Sequence, residues 1–205
     1  MSLKLKAVSD SDTDPKNPNN ENIIKREIVD LRNGSEVLYI QRFFTYDQSW
    51  KWFHFLNNHI PWTRPTVRVF GRSCLQVHKA LPGSCFNSLL LNRYKGGNDY
   101  VGWHSDDEKL YGLTPEIASV SFGCDRDFFL KKKPCKTSNV SKRHDEEPAS
   151  KRLKKSCHAD QYTFKLKHGS LLVMRGNTQR DWIHSVPKRA KVDTTRINLT
   201  FRHVL

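Results

Sequence analysis

A chain of 205 residues carrying five Trp, eleven Phe and six Tyr is long enough for one domain and aromatic enough for a real core, which excludes a wholly disordered protein. Its 35 Lys and Arg against 21 Asp and Glu give a net charge of +14, an imbalance that favours a polyanionic partner, most simply nucleic acid, although an anionic membrane surface fits equally on charge alone. No window approaches about eighteen uncharged apolar residues, and Met1-Ser2-Leu3-Lys4 opens onto polar sequence, so no membrane span is expected and the chain reads as soluble and intracellular, with no membrane among its expected partners.

Residues 1–22 are mostly Ser, Asp, Asn, Lys and Pro, a composition expected to form a disordered tail, with the domain proper over 23–205. Order is expected to begin at "NIIKREIVD". A short β-like run at Val37–Ile40 follows, then a helix capped by Asp47, with Trp50, Phe53, Phe55 and Leu56 as its apolar positions up to Pro61. "TVRVFGR" alternates as a strand ending at Gly71. "CFNSLLLNRY", "IASVSFG", "SLLVMRG" and "TRINLTFRHVL" read as further strands, and "DFFLKKK" and "QYTFKLKHG" as two strands flanking a polar loop. Short strands with turn signals and a single early helix predict a mainly β fold, a sandwich or barrel, rather than a parallel α/β sheet.

The loop, residues 131–160, sets Lys131, Lys132, Lys133, Lys136, Lys142, Arg143, Lys151, Arg152, Lys154 and Lys155 against Asp145, Glu146 and Glu147. It reads as a basic arm inserted between two strands. Lys142-Arg143 with "KRLKK" at 151–155 also has the form of a bipartite nuclear signal, and a solvated low-complexity insertion is the plainer alternative. Cys74, Cys85, Cys124, Cys135 and Cys157 form no Cys-x-x-Cys pair, so reduced structural thiols are expected.

"VGWHSDDEKLYG" holds the chemistry. At a strand end His104 and Asp106 point to one face, whereas on a helix they diverge by roughly 200°. His-x-Asp is thus a usable metal edge, and one more imidazole completes a two-His, one-carboxylate triad suited to non-haem Fe(II). His184, a short loop after "SLLVMRG", is the best candidate. His54 and His59 in the helix, His144 and His158 in the basic loop, and His168 at a turn are expected to be structural or solvent-facing. In "RINLTFR" Arg196, Asn198, Thr200 and Arg202 share one face, and Ile197, Leu199 and Phe201 the other. Two arginines on a half-buried face call for anionic partners, and a dicarboxylate supplies two carboxylates at once. Asn92 and Tyr94 share a face of "LLLNRY".

His-x-Asp, a distant His and Arg-x-Asn-x-Thr-x-Arg, together with "FNSLLLNRY", "IASVSFG", "RDF" and "HGSLLVM", resemble the AlkB family of Fe(II)/2-oxoglutarate-dependent dioxygenases, in its nuclear DNA-repair, plant-type branch. The resemblance covers roughly residues 60–205 without the basic loop. It implies a double-stranded β-helix, or jelly roll, with His104, Asp106 and His184 holding Fe(II). It implies that Asn92, Tyr94, Arg196, Thr200 and Arg202 hold 2-oxoglutarate, with O₂ as the second co-substrate. The implied reaction hydroxylates an N-methyl group on a base such as 1-methyladenine or 3-methylcytosine in DNA, releasing formaldehyde, succinate and CO₂. The matching acids, Asp107 and Glu108, would lie near the target base. "VRVFGR" is similar to the family's hairpin finger, in which Val69, Phe70, Gly71 and Arg72 would help to open a duplex. A nuclear monomer acting on DNA, duplex or single-stranded, is the expectation.

The chain departs from that family between "FGRS" and "PGSCFN", where several dozen residues of the nucleotide-recognition lid are expected and only "CLQVHKAL" stands. The shortening spares the metal and co-substrate positions and removes walls of the base pocket. An RNA demethylase, and a catalytically silent isoform that binds nucleic acid, are the competing readings.

Overall fold

The computed structural model describes residues 25–62, 67–70, 77, 80–134 and 160–205, with only the backbone at 67–70. The tail at 1–22, Gly71, Arg72 and most of the basic loop lie outside the described residues.

Eleven strands form two antiparallel sheets. They are β1 (Arg26–Arg32), β2 (Ser35–Ile40), β3 (Val67–Phe70), β4 (Ser88–Tyr94), β5 (Val101–His104), β6 (Ile117–Gly123), β7 (Arg126–Lys132), β8 (Gln161–Leu166), β9 (Ser170–Gly176), β10 (Trp182–Val186) and β11 (Arg196–Arg202). The larger sheet runs β1-β2-β9-β6-β11-β4-β3 and the smaller β5-β10-β7-β8. This is the expected mainly β, jelly-roll architecture. Helix α1 (Tyr46–His59) covers the larger sheet, and a four-residue helix, α2 (Thr178–Asp181), links β9 to β10. No described helix is long and apolar enough to cross a membrane.

The centre of the larger sheet is buried on both faces, which is why β9 reads as an unbroken apolar run rather than an alternating one. Leu171 and Val173 pack with Phe44 and Leu56 on the helix side; Leu172 and Met174 pack with Phe128, Leu130, Phe164, Leu166 and Trp182 of the smaller sheet. Each such side chain contributes roughly 1.5–3 kcal/mol by leaving water. On the helix side β6 and β11 continue the apolar pattern, with Ala118, Val120, Phe122, Ile197 and Phe201. On the inter-sheet side they turn polar, with Ser119, Ser121, Arg196, Asn198, Thr200 and Arg202 all buried. Where that inner face changes from apolar to polar, the sandwich opens into a cavity.

Two expectations are corrected. Helix α1 is capped by Thr45, not Asp47: the Thr45 side chain accepts from the Gln48 backbone N–H, and the Gln48 side chain returns to the Thr45 N–H. This is a reciprocal capping box, and Asp47 stands in the first turn, where its charge meets the helix dipole. The inserted loop also starts later than Lys131. Lys131 and Lys132 belong to β7, and the Lys131 ammonium lies 4.0 Å over the Trp103 ring.

Candidate active site

Strands β5 and β10 pair with His104 opposite His184, which puts the two rings 4.2 Å apart between centroids. Strand β5 ends at His104, so Asp106 lies two residues beyond it, still directed to the same side. Ligand atoms of His104, Asp106 and His184 all fall within 4.8 Å of one another, the only such three-residue group among the described residues. Asp106 Oδ2 is 3.9 Å from His184 Nε2, too long for a hydrogen bond and suited to two ligands of one ion.

His104 Nδ1 lies 2.8 Å from the Gly102 carbonyl, which can only accept, so Nδ1 carries a proton and Nε2 is the nitrogen left to face an ion. Burial pushes the His184 pKa down to about 3, with the adjacent His104 ring and the Arg202 and Lys133 charges acting in the same direction against Asp106. The ring is therefore neutral, as a ligand must be. Phe128 stacks on it at 5.3 Å.

Arg202 Nη2 donates to Asp106 Oδ1 at 2.8 Å, and its guanidinium lies 5.4 Å over the Tyr111 ring. Arg196 is different. Its Nη2 donates to Ser121 Oγ and Asn198 Oδ1, both neutral, while Nε and Nη1 are buried without a partner. Burial pushes its pKa down from the ordinary value and Tyr94 pulls it back up. The guanidiniums of Arg126 and Arg196 lie 5.4 and 4.9 Å from the Tyr94 ring centroid. A guanidinium 1% exposed on the wall of a cavity, with hydrogen-bond acceptors that are all neutral, is suited to an anion.

That cavity, about 310 Å³, is lined by His104, Asp106, Glu108, His184, Asn92, Tyr94, Arg196, Asn198, Thr200 and Arg202, among others. Every residue expected to bind metal or 2-oxoglutarate thus faces one space. Of the two acids expected beside the base, Glu108 lines the cavity and Asp107 does not. Lys133 Nζ holds Asp107 Oδ2 at 3.0 Å on the outer side of the loop and keeps its carboxyl below the usual carboxylate range. Val69 and Phe70 are placed as backbone only, in β3 at the edge of the larger sheet, paired with Leu89 and Ser88.

The sequence reading passed over Ser119, Ser121, Tyr111 and Gln179. Ser119 and Ser121 had a signal, as two polar residues two apart in an otherwise apolar strand. Ser119 Oγ donates to Asn198 Oδ1, and Asn198 Nδ2 to Thr200 Oγ1, so the polar wall is one connected network. Gln179 and Tyr111 had none.

The residues fit an Fe(II) and 2-oxoglutarate pair. Two imidazoles and a carboxylate are the donors that ion takes while keeping positions open, and the idle Arg196 N–H groups await a carboxylate.

Comparison with known proteins agrees. Residues 72–202 match the family model of the 2OG-Fe(II) oxygenase superfamily. The chain is 56% identical to the DNA oxidative demethylase ALKBH2 of Arabidopsis thaliana over 92% of this chain and 72% of that protein. It is 43% identical to human DNA oxidative demethylase ALKBH2 over 69% of this chain and 48% of that one. It is 45% identical to human alpha-ketoglutarate-dependent dioxygenase alkB homolog 3 over 60% of this chain, but only 38% of that protein. The Arabidopsis match runs over 227 positions, more than the 205 residues here, so that relative holds internal residues with no counterpart in this chain. The solved structure of OsALKBH1 shares the fold, with a TM-score of 0.54 at 16% identity, over 85% of this chain and all of that one. This chain belongs to the 2OG-Fe(II) oxygenase superfamily and, within it, to the AlkB family.

Proposed function

We propose that the chain is an Fe(II)/2-oxoglutarate-dependent dioxygenase that removes N-methyl groups from alkylated bases in DNA. One observation carries the reading: a buried His104–Asp106–His184 group shares a cavity with a buried arginine whose idle N–H groups need an anion. The relatives described as DNA oxidative demethylases support the substrate class.

In this reading His104, Asp106 and His184 would hold the iron, and Arg196 would take the distal carboxylate of 2-oxoglutarate. Asn92, Tyr94, Thr200 and Arg202 complete the co-substrate wall. Bound there, Fe(II) with 2-oxoglutarate and O₂ would supply the oxidation that hydroxylates an N-methyl group, with succinate and CO₂ as co-products. The protein's own part is placement. Arg202 fixes the Asp106 carboxylate, Phe128 fixes the His184 ring, and the apolar inter-sheet core behind them keeps bulk water out.

Glu108 selects the base. 1-Methyladenine and 3-methylcytosine carry a ring cation and an exocyclic amine, both complementary to a carboxylate at the cavity wall. A methyl group on the pairing edge is out of reach in a duplex, so the nucleotide must leave the stack. The Val69–Phe70 edge strand, with Gly71 and Arg72, is suited to filling the gap, and the basic loop to holding phosphates irrespective of sequence. We place the enzyme in the nucleus, as a monomer on duplex DNA, on the strength of the basic run at 142–155 and the repair chemistry.

The test is product release from duplex DNA bearing 1-methyladenine, with Fe(II), 2-oxoglutarate and O₂. Wild type should yield formaldehyde and succinate in equal amounts, and His104→Ala neither. Succinate without formaldehyde would refute the demethylase reading and leave a dioxygenase whose shortened pocket no longer places the base.

A further inference from the structure

Residues 105–108 leave β5 as irregular backbone, yet Asp106 must present its carboxylate to two imidazoles within a fraction of an ångström. Contacts from outside the loop hold it. The Asp106 backbone N–H donates to Gln179 Oε1 at 2.9 Å in a fully buried bond between residues far apart in sequence. A backbone N–H can only donate, so the amide atom facing it is the oxygen, which fixes the orientation of the Gln179 side chain. The other end of that amide, Nε2, meets only the Met174 thioether, a weak acceptor, at 3.3 Å. Gln179 is 1% exposed. Burying a primary amide with one half so poorly satisfied is costly, and the bond that its oxygen accepts from Asp106 is what offsets that cost.

The second contact is Lys133. Its ammonium donates to Asp107 Oδ2 and to the Gln179 main-chain carbonyl, both at 3.0 Å, and its backbone N–H donates to the Asp181 carbonyl at 2.8 Å. The end of β7, helix α2 and the loop after β5 are thereby joined around Asp106. Because Arg202 takes Oδ1, the oxygen left toward His184 is Oδ2.

We propose that Gln179 and Lys133 form a positioning clamp that aims Asp106 as a metal ligand, with Gln179 acting on its backbone and Lys133 on the neighbouring residues. The clamp rests on the reading of His104, Asp106 and His184 as a metal site. Neither residue touches metal or substrate; both act through the loop.

The test is titration of the full chain with Co(II) alone, read by its visible absorption bands, beside thermal melting without metal. Gln179→Met keeps the bulk and removes the acceptor. It should weaken Co(II) binding about ten- to a hundredfold and shift the bands. Gln179→Glu keeps an acceptor oxygen and should restore most of the affinity. Lys133→Met should give a smaller loss in the same direction. A structural role alone would lower the melting temperature of Gln179→Met and leave the affinity and spectrum of its folded form unchanged, and that outcome overturns the clamp. His104→Ala separates the two claims. If it binds Co(II) as wild type does, the metal-site reading falls and the clamp with it. If it loses Co(II) while Gln179→Met does not, only the clamp falls.

Discussion

Glu108 and Asp107 are adjacent acids with opposite fates. Asp107 points outward to Lys133, whereas Glu108 lines the cavity. Discrimination should therefore depend on Glu108. Glu108→Gln is expected to lower kcat/KM for the cationic 1-methyladenine about tenfold, the scale of one charge-assisted hydrogen bond, and to leave a neutral N-methylated base nearly unaffected. Steady-state kinetics on the two lesions checks this; an equal loss on both would remove Glu108 from base recognition. His184 was reached through its place a short loop after an apolar strand. The grouping of His104 with Asp106, by contrast, was legible from their i, i+2 spacing, and that of Arg196 with Arg202 from charge on one face of a strand. The distinction between Asp107 and Glu108 was not, because it turns on which way an irregular loop leaves β5, and Lys133 lies on another strand. Gln179 was hidden for a similar reason. Its partner is a backbone N–H, which every sequence position offers.

Among the elements, β11 was the most legible, since its alternation of polar and apolar residues states both of its environments. Strands β5 and β10 were the least. They are four and five residues long, and the register that sets His104 against His184 is visible only in three dimensions. The start of α1 separates two competing caps. Thr45→Ala should cost about 1 kcal/mol in urea unfolding, and Asp47→Ala only a few tenths, because the first loses a capping bond and the second a screened dipole interaction. Equal losses would contradict the capping box. A second prediction concerns the contact of α1 with the sheet. His168 accepts the Gly123 N–H on Nδ1 and packs 4.4 Å from the Trp50 ring. Burial depresses its pKa below the ordinary 6.5, against a smaller pull from Asp125. A depressed histidine pKa means that the unfolded chain binds the proton first. The contribution is thus whole above about pH 6.5 and is lost as pH falls below it. The drop in urea midpoint between about pH 7.5 and 5.5 should shrink in His168→Gln, which offers an acceptor without titrating. An undiminished drop would show that His168 is not its source.

At the scale of the whole molecule, the sandwich serves to join two chemistries in one cavity. The smaller sheet brings both imidazoles and the larger sheet brings both guanidiniums, and neither sheet alone carries a site. Strands β4, β5, β6, β10 and β11, which carry this junction, all lie beyond the stretch between Ser73 and Pro82 where the sequence reading expects a shortening. In the proposed function Arg196 receives a carboxylate of the co-substrate. Calorimetric titration of 2-oxoglutarate into anaerobic, Fe(II)-loaded protein tests it most directly, with wild type beside Arg196→Met. One molecule should bind per chain, and the substitution should weaken binding about a hundredfold or more, since it removes one partner of a buried ion pair. No binding by the folded wild type, or equal binding by both, would contradict the account.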